Sequence, residues 1–381
     1  MTGCLQVKNG TYYIVLSVWE NGKRKRPWIS TGLPAKGNKR KAEQLLREKL
    51  CEYELKSGKA SSETLLSDYI RYWLTVAKRK VDEVTYQGYE ALANVHVLPY
   101  FDKLGTKLQD TSLTVLQAYI DEKQAHGRKD GKGGLSARSL RLHKNILHQA
   151  LDEAVKAGLL PSNPCRYLIL PKSERHEASY YTAQQLQQLF DVIRDEPLYP
   201  LVKITALYGL RRSELLGLKW DSIDFENGTL TIRHTVSKVT KVVEKDKTKN
   251  ASSYRSFPLL PEAKRIFQAA KFAEEQNRRL FGKAYQENGY VFKWPDGHPY
   301  SPDYVTDKFS ALLKKHELPH IRFHELRHSC ASLLINNGFS LKDVQEWMGH
   351  ADIKMTANIY GHLDVSRKHS MAHQLASAFS A

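Results

Sequence analysis

The sequence predicts a multidomain, mainly α-helical protein with small β elements. Three observations carry this expectation. The chain has 381 residues, more than one ordinary core accommodates. Helical periodicity fills most of its length, and strand-like alternation is confined to the N-terminus and to residues 228–259. Two polar, charged stretches, "KSGKASSE" (56–63) and "LPKSERHEAS" (170–179), read as linkers. They divide the chain into residues 1–60, 61–170 and 171–381.

The first region reads as a three-stranded sheet plus a helix. "CLQV", "TYYIVLSVW" and "KRPWISTGL" have strand composition, and "ENGK" supplies an Asn-Gly turn between the last two. Ala42, Leu45, Leu46, Leu50 and Tyr53 then recur at helical spacing. The hairpin is crowded with base at Lys23, Arg24, Lys25 and Arg26, and the helix start at Lys36, Lys39, Arg40 and Lys41. Tyr12, Tyr13, Trp19 and Trp28 are interleaved among them. A small aromatic core explains the rings, but it leaves the clustered charge unexplained. A nucleic-acid-binding module explains both, with Lys23, Arg24, Lys25, Arg26, Trp28, Lys39 and Arg40 as its candidate contacts.

Residues 61–170 read as helices. "LLSDYIRYWLTVAK", "VDEVTYQGYEALANVHVLPYF" and "LTVLQAYIDEKQAHG" precede a Gly-rich break, "GRKDGKGG". "SARSLRLHKNILHQALDEAVKAGLL" follows, with Leu140, Ile146, Leu147 and Leu151 toward a core and an end at Gly158 before Pro161. The third region opens on "YTAQQLQQLF", where Thr182 and Gln185 are spaced as a capping box. Helices then alternate with the single β region.

Charge narrows the function. Lys and Arg number 58 against 41 Asp and Glu, a net charge of +17. Such an excess favours a polyanionic partner, because displaced counterions drive the binding. Cys4, Cys51, Cys165 and Cys330 are scattered without a C-x-x-C, the usage of a reducing cytoplasm. No stretch approaches the roughly 18 apolar residues of a membrane span, so neither export nor membrane insertion is expected.

One string, "HELRHSCASLLINNG" (324–338), supports two chemistries. His324-Glu325-Leu326-Arg327-His328 spells H-E-x-x-H, a zinc-peptidase pattern. Zinc catalysis needs a third protein ligand. Ala331 and Leu334 stand where an extended motif requires Gly and His, which leaves Glu346 as the candidate. The same letters place His324 and Arg327 three apart, side by side on one helical face and able to hold a phosphate. The basic first region is unexplained by a peptidase.

Other residues suit a phosphodiester. "ALYGLRRSELLGLKW" puts Arg211 and Arg212 at a helix start, where a guanidinium can fork onto two phosphate oxygens. An Arg–Glu pair with Glu214 is the plainer meaning of that stretch. "KDKTKNASSYRSFPL" holds Lys247 and Lys249 in a polar turn, and "WMGHADIKMTANIYGHL" holds His350 and Tyr360. In order, Arg211, Lys247, His324, Arg327, His350 and Tyr360 resemble the tyrosine recombinase (phage integrase) family. The N-terminal layout is similar to that of conjugative-transposon integrases.

The resemblance implies an arm-type DNA-binding domain at 1–60, a helical core-binding domain at 61–170 and an α+β catalytic domain at 171–381. It implies cleavage and rejoining of DNA strands through a 3′-phosphotyrosyl intermediate, integrating and excising a mobile element with no metal and no cofactor. Tyr360 would be the nucleophile, Arg211 and Arg327 would stabilise the transition state with His350, His324 would be the base, and Lys247 the leaving-group acid. Lys249 competes with Lys247, and Arg212 with Arg211. Implied partners are double-stranded DNA at core and arm sites, a homotetramer on DNA, and an accessory excisionase. The implied place is the bacterial cytoplasm, at the nucleoid. The rival functions are a type IB topoisomerase, a DNA-binding regulator on an inactive recombinase fold, and the zinc metallopeptidase. In the tail, Met371, Leu375 and Phe379 form an apolar stripe at helical spacing, which by spacing alone suits packing on its own domain, while the resemblance implies that it docks on an adjacent protomer.

Overall fold

Asn9 and Gly10 both take positive φ, 49° and 72°. This is the backbone of a two-residue turn whose twist matches that of the strands it joins. It connects β1 (Thr2–Lys8) to β2 (Thr11–Glu20), which pair antiparallel from Thr2↔Ser17 to Lys8↔Thr11. Two further strands, β3 (Lys23–Lys25) and β4 (Trp28–Pro34), pair with β2. The third expected strand is thus present in two pieces. Pro27 has no N–H to give the ladder, and its carbonyl instead accepts from the Leu16 N–H at 3.2 Å.

The computed structural model describes residues 2–20, 23–56, 63–172, 179–238, 242–245 and 254–353, with isolated positions beyond. The expected Asn21–Gly22 turn and the tail residues Met371 and Leu375 lie outside them, while Phe379 is exposed.

Alternation along β2 points Ile14, Leu16 and Val18 to one face, where α1 (Lys39–Lys56) covers them with Leu45, Leu46, Leu50 and Tyr53. Each fully buried aliphatic side chain there contributes about 2 kcal/mol. Trp28 and Tyr13 lie on the other face, their rings 6.1 Å apart, with Arg24 Nε donating to Ser17 Oγ at 2.7 Å.

A helical array with its own core follows: α2 (Leu66–Lys80), α3 (Glu83–Leu92), α4 (Leu98–Leu104), α5 (Leu113–His126) and α6 (Ala137–Lys156). Asp82, Ser112 and Ser136 cap α3, α5 and α6 by accepting from backbone N–H groups. The run expected as one helix over 81–101 is interrupted by a π turn at Ala93–Val97. Pro99 lacks an N–H and its ring crowds the preceding turn, so the bonding shifts and the Leu98 N–H reaches Ala93 O. Trp73, Phe101, Tyr119, Leu140, Leu147 and Leu151 meet in this core.

The chain forms two compact units, Met1–Arg175 and His176–Ala381. In the second, α7 (Ala183–Val192) starts at a Thr182–Gln185 capping box, and α8 (Tyr199–Tyr208) and α9 (Arg212–Leu216) follow. A three-stranded antiparallel sheet has the order β5 (Ile223–Asp224), β6 (Thr229–Ile232), β9 (Arg255–Pro258). β7 (Thr235–Lys238) and β8 (Val242–Lys245) form a separate pair. Then come α10 (Pro261–Phe281), α11 (Pro302–Lys315), α12 (Glu325–Asn336) and α13 (Leu341–Met348). No helix among the described residues is long and apolar enough to cross a membrane.

Candidate active site

α8 stops where Gly209 turns into the left-handed region at φ 63°. A Cβ there would lie 2.7 Å from Met348 Sδ, so the left-handed backbone and this close approach both favour glycine where α8 ends. Gly349, at φ 62°, ends α13 in the same way. A helix end leaves its last carbonyls without intrahelical partners and carries partial negative charge. Three successive carbonyls at this end each accept from a different arginine. Arg255 Nε, on β9, donates to Trp347 O at 3.1 Å. Arg327 Nη2, on α12, donates to Met348 O. Arg211 Nη2, at the start of α9, donates to Gly349 O at 2.8 Å. Arg327 also donates to Gly209 O at 2.6 Å and is 1% exposed.

One carboxylate ties two of these arginines together. Glu214 Oε1 accepts from Arg211 Nη1 at 2.5 Å, and Oε2 accepts from the Arg211 N–H at 2.9 Å. Arg255 forks onto the same carboxylate at 3.2 and 2.9 Å. Burial works to raise the Glu214 pKa, but the Arg255 hydrogen bonds and the charges of Arg255, Arg211 and Arg327 hold it at about 2. Burial, then Arg211, pushes Arg327 down to about 9 while Glu214 opposes, so it remains a cation at neutral pH. Three guanidinium groups thus face one carboxylate. The excess positive charge is placed to receive an anion with forked acceptors, which a phosphodiester provides.

Two imidazoles adjoin the cluster. His350 follows Gly349 directly, and burial, then Arg327 and Arg211, lowers it to about 3. His324 stands at the N-cap of α12 and is lowered to about 4 by burial, then His328, Arg327 and Arg211. Both are neutral at pH 7. A neutral imidazole can donate one hydrogen bond and accept a proton, the two capacities a charged transition state and a phenol require.

The structure therefore brings together Arg211, His324, Arg327 and His350 from four points in the sequence. Arg212 goes elsewhere: its Nη1 donates to Pro302 O at 3.0 Å and to Thr306 Oγ1, at the start of α11. Lys247, Lys249 and Tyr360 lie outside the described residues. In the first unit Arg24 and Trp28 share the sheet face opposite α1. Lys25 pairs with Val18, in register with the α1 side. Lys39 and Arg40 are exposed at the first turn of α1, Arg26 is exposed between β3 and β4, and the Lys23 side chain is outside the described residues.

The zinc geometry is poor. Glu325 is buried and accepts from the N–H and Nη2 of Arg322, both at 2.6 Å, while Glu346 is exposed and pairs with Lys342 at 3.2 Å. Among the described residues no three His, Cys, Asp or Glu side chains are grouped to hold a metal.

Two site residues have no counterpart among the sequence candidates for catalysis. Arg255 lies within the quoted stretch "SSYRSFPL", where nothing local distinguishes it from a surface arginine. Glu214 is visible only as the third residue after Arg211, the spacing of a helical pair.

With this geometry in hand, comparison with known proteins identifies the class. The model of the "Phage integrase family" matches residues 179–367, and that of "Phage integrase, N-terminal SAM-like domain" matches 65–124. A tyrosine recombinase XerC-like protein of Caldanaerobacter subterraneus subsp. tengcongensis is 26% identical, over 98% of this chain and 98% of its own. The ICEBs1 integrase of Bacillus subtilis is also 26% identical, over 97% and 98%. Among solved structures, the Tn1549 transposon integrase in complex with a circular intermediate DNA superposes with a TM-score of 0.66 at 22% identity, over 82% of this chain and 99% of that one. A lambda integrase tetramer bound to a Holliday junction gives 0.59 at 18%, over 93% and 94%. The chain belongs to the phage integrase family. It is a tyrosine recombinase, an enzyme class that transfers DNA strands without a metal.

Proposed function

We propose that this recombinase integrates and excises a mobile genetic element, cleaving and rejoining DNA at specific sites through a 3′-phosphotyrosyl link to Tyr360. The observation that carries the reading is the cluster of Arg211, Arg255 and Arg327 around Glu214, with neutral His324 and His350 beside it. The pentacoordinate phosphorus gathers negative charge on its non-bridging oxygens. Arg211 and Arg327 would meet that charge from preorganised positions, and His350 would add a hydrogen bond. The tyrosine hydroxyl, with an ordinary pKa of about 10, would pass its proton to His324. Lys247 would protonate the departing 5′-oxygen. The covalent link conserves the phosphodiester energy, so a partner strand's 5′-hydroxyl can reverse the step without ATP.

In this reading the helical region at 61–170 grips the core site and the sheet at 1–60 binds arm sites through Arg24, Trp28 and the bases around them. The complex on DNA is a homotetramer in which the tail of one protomer reaches its neighbour, and an accessory excisionase sets direction. The net charge of +17 supports a DNA partner, and the substrate places the reaction in the bacterial cytoplasm, at the nucleoid.

Tyr360→Phe tests the chemistry. It should bind duplex DNA as the parent does and form no protein–DNA adduct that survives SDS. An undiminished adduct would remove Tyr360 from the mechanism.

A further inference from the structure

We propose that Arg255 is a positioning residue for strand cleavage: it locks the helix end that presents His350 to the carboxylate that aims Arg211. This deepens the reading above and rests on it. All three guanidinium nitrogens of Arg255 donate within the protein. Nε holds Trp347 O, and Nη1 and Nη2 fork onto Glu214. Its side chain is 8% exposed, against 29% for Arg211. Arg211 is the more open of the two, and Arg327, at 1%, is the most buried, so it is the fork of both Arg255 terminal nitrogens onto Glu214, rather than burial, that sets Arg255 apart.

Arg211 also spans Glu214 and the end of α13, through Gly349 O, and Arg255 adds a second tie from a third element. Glu214 belongs to α9, Trp347 to α13, and Arg255 to β9, so this side chain joins three elements distant in the chain. Its fork also fixes the Glu214 carboxylate plane, whose Oε1 then receives Arg211 Nη1. The Arg255 guanidinium lies 5.3 Å from the centroid of the Phe257 ring, and that ring meets Trp347 edge-on at 4.8 Å. The arginine is thus held by packing as well as by hydrogen bonds. Lysine cannot reproduce this, because its ammonium has no planar fork and cannot serve two acceptor groups in fixed directions.

The test uses the full chain and a nicked duplex made from the DNA flanking its gene, with either a normal scissile phosphate or a neutral methylphosphonate there. Arg255→Gln should bind the duplex within about twofold of the parent and form adduct roughly 100-fold more slowly, the scale of an ångström-sized misplacement. Arg255→Lys should remain slow. The methylphosphonate removes the charge that Arg211 and Arg327 stabilise, so it should restore Arg211→Ala and leave Arg255→Gln slow. Glu214→Gln should match Arg255→Gln, and the double variant should be no slower than either, as coupled groups require. Parental adduct rates in Arg255→Gln overturn the proposal, and so does rescue by methylphosphonate equal to that of Arg211→Ala. Should the Gln variant fail to fold, judged by its thermal transition, Arg255→Lys and Glu214→Gln carry the same comparison. Parental cleavage by Arg211→Ala would instead sink the underlying site assignment, a separate result.

Discussion

The Arg327 guanidinium and the Gly209 carbonyl are 2.6 Å apart, so the last turn of α8 and the first turn of α12 meet through one hydrogen bond. Gly209 takes φ 63° here, and a Cβ on it would lie 2.7 Å from Met348 Sδ. Gly209→Ala adds a Cβ where the left-handed backbone already costs about 1–2 kcal/mol and where Met348 must move. We expect a thermal midpoint lower by several degrees and a larger loss in adduct formation than in DNA binding. Calorimetry alongside an adduct assay reads both, and a parental midpoint and rate would show that the contact is not needed.

The histidines set a pH dependence with a defined direction. Burial first and neighbouring cations second hold His324 at about 4 and His350 at about 3, against an ordinary value of about 6.5. The unfolded chain then takes up these protons before the folded one does. Their stabilising contribution is complete above about pH 6.5 and is lost as pH falls from there through the folded values. Urea midpoints should drop between pH 7 and pH 5, and the drop should be smaller in His350→Gln. A variant with an unchanged pH slope would contradict the assignment.

The leaving-group acid can be identified chemically. Lys247→Ala should be slow on normal DNA and recover on a substrate with sulfur at the 5′-bridging position, because a thiolate departs without a proton. Lys249→Ala should show neither effect. The reverse pattern of rescue would transfer the role to Lys249.

For the first region, the sheet face bearing Tyr13, Arg24 and Trp28 is the surface to alter. Arg24→Ala together with Trp28→Ala, in the full chain, should weaken binding to arm-type DNA, and less so at higher salt, where phosphate contacts already count for less. Cleavage of short core-site duplexes should stay unchanged. If recombination of full sites is equally unaffected, the face is a bystander.

What could be read from the sequence is what lies within a few residues. His324 and Arg327 share the start of α12, Thr182 and Gln185 close a capping box, and β2 alternates, so their spacing reports their geometry. Arg255 could not be recognised in this way. Its meaning depends on β9 passing the end of α13, a long-range approach that no local pattern encodes. Glu214 was visible as a helical neighbour of Arg211, and the Arg–Glu pair does exist, but its second arginine comes from another strand. The π turn at Ala93–Val97 was hidden because Pro99 reads equally well as a helix start. The Asn9–Gly10 turn carried a plain local signal, missed beside the more basic Asn-Gly pair at 21–22.

The arginines at the end of α13 grasp peptide oxygens, which every amino acid supplies alike. The bonds themselves therefore constrain the length of this segment more than the identity of its exposed residues. Exposed positions on α13 such as Lys342 and Glu346 can drift, whereas one residue inserted or deleted before Gly349 would rotate all three carbonyls away from their donors together. Among related integrases this segment should diverge by replacement and almost never by change of length.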